Sequence, residues 1–216
     1  MSTVAETVAL AIVVLSVVGA AAVACDLIRH PQNMWIMNLV WPLTALYAGP
    51  LGSWVYMEIG RNVGHRRREK PFWQSVLVGA THCGAGCALG DFAGEWLVRG
   101  TGATLGGSTL AASTGAGFVL AFLAGIAFQY FSIVPMRQLA PLPGLAAAVK
   151  ADTLSLVAYE IGMLGWMIAV GVWLAPGLEP TRWAYWVSMQ AAMLLGFATT
   201  YPVNWWLIRR GIKEAI

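Results

Sequence analysis

Six long apolar runs, each bounded by charge, proline or glycine, constrain this chain more than any other feature. They cover about residues 4–26, 34–60, 73–98, 109–135, 151–175 and 183–208. Each meets the ~20 mostly apolar residues that carry a helix across a bilayer. Only 11% of the residues are charged, where a soluble domain carries about 25%. The sequence therefore predicts an all-α fold: a polytopic membrane helix bundle with six transmembrane helices, forming a single transmembrane domain over residues 1–216. No 20–50-residue repeat and no soluble domain interrupts the runs, so function is expected within the bilayer or at its faces. The opening MSTVAETVAL has no basic residue before its apolar run, and the first run is read as a mature helix.

Charge sets the expected orientation. With six crossings, Arg61, Arg66, Arg67, Arg68, Lys70, Arg137, Lys150, Arg209, Arg210 and Lys213 share the side of the N-terminus, against Arg29, Arg99 and Arg182 on the other. The positive-inside rule then places both termini in the cytoplasm of a cell whose inner (plasma) membrane holds the protein. The run RNVGHRRREK (61–70) reads as a topology signal beside anionic lipid. A net charge of +3 is too small to imply nucleic acid. Pro42, Pro50 and Pro202 fall within runs and are expected to kink them.

Chemistry concentrates in THCGAGCALGD (81–91). On a helical wheel Cys87 lies about 40° from Cys83, and Gly79, Gly86, Gly90 and Gly94 fall within about 60° of it. Asp91 flanks this face near +80° and His82 near −100°, roughly 140° from Cys87. Gly86, Gly90 and Gly94 form a ladder that lets another backbone approach, and Gly117, Ala121 and Gly125 of the fourth run offer a matching one. Thiols are small enough to belong in such a seam, so close packing is one reading of the segment. The other is ligand binding: an intramembrane His or Asp normally marks a polar partner or a path, and thiolate with imidazole suits Cu(I) or Zn(II). His82 joins the cysteines only if the glycines let the helix unwind; otherwise it serves another neighbour.

Other runs supply candidate partners. His82 and Glu160 each lie about 14–15 Å from the same face at 1.5 Å per residue, near the middle of the core. Glu160 is the candidate for proton or charge balance. Met163 and Met167, Met189 and Met193, and Met34 and Met37 are spaced as thioether ladders that fit Cu(I), or fill gaps between helices. Asp152 reads as an N-cap of the fifth run, Cys25 as structural, and Tyr201, Pro202 and Asn204 as a polar kink.

The segments MWIMNLVWPLTALYAGPLG (34–52), THCGAGCALGD (81–91), FQYFSIVPMR (128–137), KADTLSL (150–156) and YPVNWWLIRRGIKEAI (201–216) together resemble the bacterial membrane-protein family catalogued as domain of unknown function 4396. Its His-Cys-x-x-Gly-Cys-x-x-Gly-Asp pattern stands here as His82, Cys83, Gly86, Cys87, Gly90 and Asp91. The resemblance implies a small polytopic membrane protein with that motif in a helix, and no reaction.

Three functions follow as expectations. The first is binding or transport of a soft metal ion, Cu(I) above all, by His82, Cys83, Cys87, Asp91, Met163 and Met167, with Glu160 balancing charge. No nucleotide-binding or aspartyl-phosphate motif is present, so movement would be passive or ion-coupled, and the chain reads as a carrier before an enzyme. The second is a membrane thiol oxidoreductase using Cys83 and Cys87. The third is a structural or assembly subunit whose Gly/Cys face binds a copy of itself or another membrane protein.

Overall fold

Pro71 and Gly102 bound the helix around which the others pack. Proline is suited to a helix start, and Gly102, at φ +67, supplies the left-handed residue that stops it, its N–H bonding Val98 O. The computed structural model describes residues 3–62 and 71–214, all helix and connections with no strand among them. The helices are α1 (Thr3–Arg29), α2 (Met37–Tyr47), α3 (Gly49–Val55, widening into a π turn at Tyr56–Gly60), α4 (Phe72–Thr101), α5 (Thr109–Arg137), α6 (Pro141–Ala169, with a π turn at Val170–Leu174) and α7 (Trp183–Arg209).

Four helices are long and apolar enough to cross a membrane: α1, α4, α5, and α6 with its π turn. At 27 residues, α7 is as long as α1. Only 17% of the most apolar stretch of α1 is buried, against 72% of that of α4, so α1 lies outside and α4 at the centre. Residues such as Val14, Val18, Leu123, Ile161 and Trp173 point outward, as they do when lipid is the surrounding solvent.

The expected second span, 34–60, is not one helix. Ala48 ends α2, Gly49 turns at φ +60, and Pro50 opens α3. Glycine permits the positive φ and proline cannot continue the preceding hydrogen-bond ladder, so the chain reverses instead of kinking. The two short helices pack antiparallel: Gly52 lies on the backbone of Thr44 and Ala45, and Gly60 on the indole of Trp41. Both outer ends meet the end of α1. Gln32 Nε2 donates to Gly60 O at 3.0 Å, and Tyr56 OH to Asp26 Oδ2 at 2.7 Å. Eleven residues of helix rise about 16 Å, half a hydrocarbon core.

This reversal changes the ends of the bundle. Trp183 N donates to Glu6 Oε2, and Gln190 Nε2 to Ser16 Oγ, so α1 and α7 run parallel. The start of α1 and the end of α7 therefore lie at opposite ends, not on one side. The end of α1, both outer ends of the hairpin, the starts of α4 and α6 and the ends of α5 and α7 share one end; Trp35 beside Phe131 fixes the register of hairpin and α5. We call it the basic end. Of the run 61–70, residues 63–70 lie outside the described residues, among them Arg66, Arg67, Arg68 and Lys70.

Between α4 and α5 the seam is backbone on backbone. A β-carbon on Gly86 would fall 2.9 Å from Gly125 Cα, and those on Gly90 and Gly94 would collide with Ala121 and Gly117. Close approach of this kind is what small residues permit in a membrane bundle. The glycine face of α4 is thereby occupied within the chain.

Candidate functional site

The motif lies on an unbroken helical stretch of α4, with no local unwinding between Thr81 and Asp91. Its side chains consequently diverge by ordinary helical geometry. His82 turns to α5: Nε2 is 2.9 Å from Ser132 Oγ and Nδ1 3.3 Å from Val78 O. Ser132 Oγ also donates to Phe128 O at 3.0 Å, so its single proton is shared between that carbonyl and the imidazole, and the ring tautomer sets which nitrogen of His82 donates. His82 is thus not brought to Cys87, nor to Glu160.

Cys83 turns to α6. Its thiol donates to Asp152 Oδ1 at 3.2 Å and lies 3.2 Å from Ser155 Oγ. Asp152 is fully buried, eleven residues beyond Pro141, where α6 begins. It caps no helix; α6 starts earlier than its apolar run because Pro141 and the alanines that follow extend it toward the basic end. Cys83 is likewise eleven residues beyond Phe72, and both sit about 17 Å along their parallel helices.

A residue that sequence reasoning assigned to the basic surface completes this cluster. Gly211, at φ +66, turns the chain after α7, and Lys213 N bonds back to Leu207 O. The Lys213 side chain enters the bundle, 1% exposed, with Nζ donating to Ser155 Oγ at 3.3 Å and to Cys83 Sγ at 3.5 Å. The glycine followed by apolar Ile212 was the only sequence sign of this inward turn. Ser132 and Ser155 were missed too, because a serine in an apolar run is usually a packing residue.

One turn further along α4, Cys87 is fully buried beside Glu160 and Asp91. Glu160 is 2% exposed; the Cys87 thiol faces its carboxylate, and no other described residue hydrogen-bonds to it. Asp91 Oδ1 lies against Gly117, while its Oδ2 is unpartnered. Cys83, Cys87, Met163 and Met193 belong to one buried cluster with Tyr47, Leu156 and Tyr159, and Met167 and Met189 pack against it. Tyr159 OH donates to Met193 Sδ at 3.5 Å. The hairpin tip joins in through Tyr47, whose hydroxyl lies against Gly84. Among the described residues, no three His, Cys, Asp and Glu side chains converge closely enough to hold a metal ion.

Toward the opposite end the acidic line continues to Glu95, which accepts from Tyr185 OH at 3.1 Å. Polar groups thus run along α4 from Lys213 through Cys83, Asp152, Cys87, Glu160 and Asp91 to Glu95, with Asp152 and Asp91 bordering the glycine seam at Gly125 and Gly117.

Residues 72–213, from the first residue of α4 to Lys213, match the family described as Domain of unknown function (DUF4396). The chain belongs to that family; the hairpin segment 34–52 lies outside the match. No curated protein and no solved structure matches the chain.

Proposed function

We propose that this protein is a multi-pass carrier of the plasma membrane whose cargo is a soft monovalent cation, Cu(I). The observation that carries the reading is the company the thiols keep. Cys83 and Cys87 share a buried cluster with the thioethers of Met163 and Met193, beside a Glu160 carboxylate that has only the Cys87 thiol facing it among the described residues. Thiolate and thioether sulfur are the donors that Cu(I) prefers, and two or three of them suffice. A lone buried carboxyl costs free energy in hydrocarbon and is kept where a charge passes or binds. Cys87 and Met163 are the central ligands in this reading, Met193 a third, and Met167 lies at the rim. Glu160 and Asp91 balance charge, and His82 fastens α4 to α5.

Topology supports a path between compartments. In this reading α1 and α4 to α7 cross the bilayer, and the α2–α3 hairpin dips in from the basic end and returns. By chain order, every one of the 13 lysines and arginines except Arg99 and Arg182 then falls at the basic end. The positive-inside rule makes that end cytoplasmic and the start of α1 extracytoplasmic.

The competing functions fare less well. The glycine face that would bind another subunit is taken by α5. Both thiols are free and point at different neighbours, Cys83 at Asp152 and Cys87 at Glu160, which does not favour a redox pair. The test is movement of Cu(I) into sealed proteoliposomes. Wild type should fill them and Cys87→Ser should not; equal rates from both would refute the carrier.

A further inference from the structure

Lys213 is a charged side chain that nothing in the carrier reading requires, and it occupies the mouth of the site. Its ammonium donates to Cys83 and Ser155, and Cys83 in turn donates to Asp152, so the lysine lies inside the bundle next to a buried carboxylate. The Asp152 Oδ2 atom remains unpartnered, as do both amide atoms of Gln129 and Oδ1 of Asn204, all buried. Gln129 lies one turn from both Gly125, which abuts Asp152, and Ser132, which abuts His82, on the inward face of α5. Of these, Asp152 Oδ2 belongs to the cluster that Lys213 enters, and Lys213 leaves it unused as an acceptor. A latch outside holds the segment down: Arg137 at the end of α5 pairs with Glu214, and its Nη2 donates to Gly211 O at 3.4 Å. Both partners of that pair are about one-third exposed.

We propose that Lys213 is a tethered stand-in for the cargo cation, and that the segment after α7 is the cytoplasmic gate of the site. This rests on reading the Cys83–Cys87 line as a cation path. A cation bonded to Cys83 Sγ would lie within a few ångströms of Nζ, and like charges so close repel strongly where water is scarce. Lysine and cargo are therefore mutually exclusive. The lysine neutralises Asp152 while the site is empty and withdraws when a single positive charge replaces it. As the cation takes the sulfur, the Cys83 thiol proton passes to Asp152 along their existing hydrogen bond, so one ammonium exchanges for one positive charge and the site favours a monovalent cation. Opening of the Arg137–Glu214 latch is the motion that lets the segment leave.

The test uses full-length protein in sealed membrane vesicles, with Cys25→Ser and Cys87→Ser leaving Cys83 as the single thiol. A membrane-impermeant maleimide is added from each side in turn, without copper. With Lys213 in place Cys83 should be protected from both sides. Lys213→Met should raise labelling about tenfold or more, from the cytoplasmic side alone, as expected when a local closed state is lost. A purely structural lysine would leave labelling unchanged, or raise it equally from both sides as the fold loosens; either result overturns the gate. Where Lys213→Met protein does not accumulate, Arg137→Ala decides, since it frees the latch and keeps the lysine: faster one-sided labelling upholds the gate, unchanged labelling overturns it. Copper binding to wild type is measured separately, so a protein that gates Cys83 but never binds copper would end the carrier reading and leave the gate standing.

Discussion

Arg61 grips both carboxylate oxygens of Asp26, Nη2 to Oδ1 at 2.8 Å and Nε to Oδ2 at 2.9 Å. A bidentate guanidinium–carboxylate pair has directional hydrogen bonds as well as charge, and this one ties the end of α1 to the end of the hairpin. Tyr56 and His30 complete the cluster, at 2.7 Å and 3.1 Å from Asp26. The hairpin therefore returns to the end of the bundle from which it starts.

Topology gives the first prediction. A reporter fused at the N-terminus should read extracytoplasmic, while single cysteines placed at Gln32 and Asn62 should both be labelled from the cytoplasm. Labelling of those two positions from opposite sides would restore a full crossing over 34–60.

The glycine seam gives the second. Gly90→Ala puts a methyl group into the Ala121 backbone, where neither helix has a flexible side chain to move. Overpacking of this kind costs about 1–3 kcal/mol, or more where backbone must shift. Gly100→Ala, with open space around it, should be neutral. Thermal unfolding in detergent compares the two; equal midpoints would mean that α4 and α5 are not packed this closely.

Glu160 should separate stability from function. Glu160→Gln replaces a buried carboxyl faced only by the Cys87 thiol with a neutral amide of the same shape, so the melting midpoint should hold or rise. Cu(I) movement should fall about tenfold or more, because a group kept against its burial cost is kept for use. Unchanged movement would remove Glu160 from the mechanism.

His82 should behave as a fastener. His82→Ala should lower stability by roughly 1–3 kcal/mol through the lost α4–α5 contact and the space left behind. The copper stoichiometry should not change. Loss of bound copper at unchanged stability would return His82 to the ligand set.

Much of the architecture was legible because lipid imposes simple rules on sequence. Apolar runs of membrane length identified α1 and α4 to α7, and the motif around Cys83 pointed to the family. The hairpin was not legible, since residues 34–60 are long enough and apolar enough for one span. Only the +60° φ of Gly49 turns its Gly-Pro pair from a kink into a reversal. In the proposed topology that reversal also places the N-terminus on the side opposite to the one expected from six spans. The wheel placed His82 about 140° from Cys87, and the regular α4 keeps them apart. Lys213 was hidden because a basic residue after the last helix ordinarily stays in water, and only tertiary packing draws this one inside.

The central claim is that the two thiols of α4 face a sulfur-lined interior able to hold a cation. Equilibrium titration of purified protein with Cu(I), beside a Cys83→Ser, Cys87→Ser double variant of equal melting temperature, tests it most directly. The account predicts one bound copper per wild-type chain and none in the variant. Copper bound equally by both, or by neither, would contradict it.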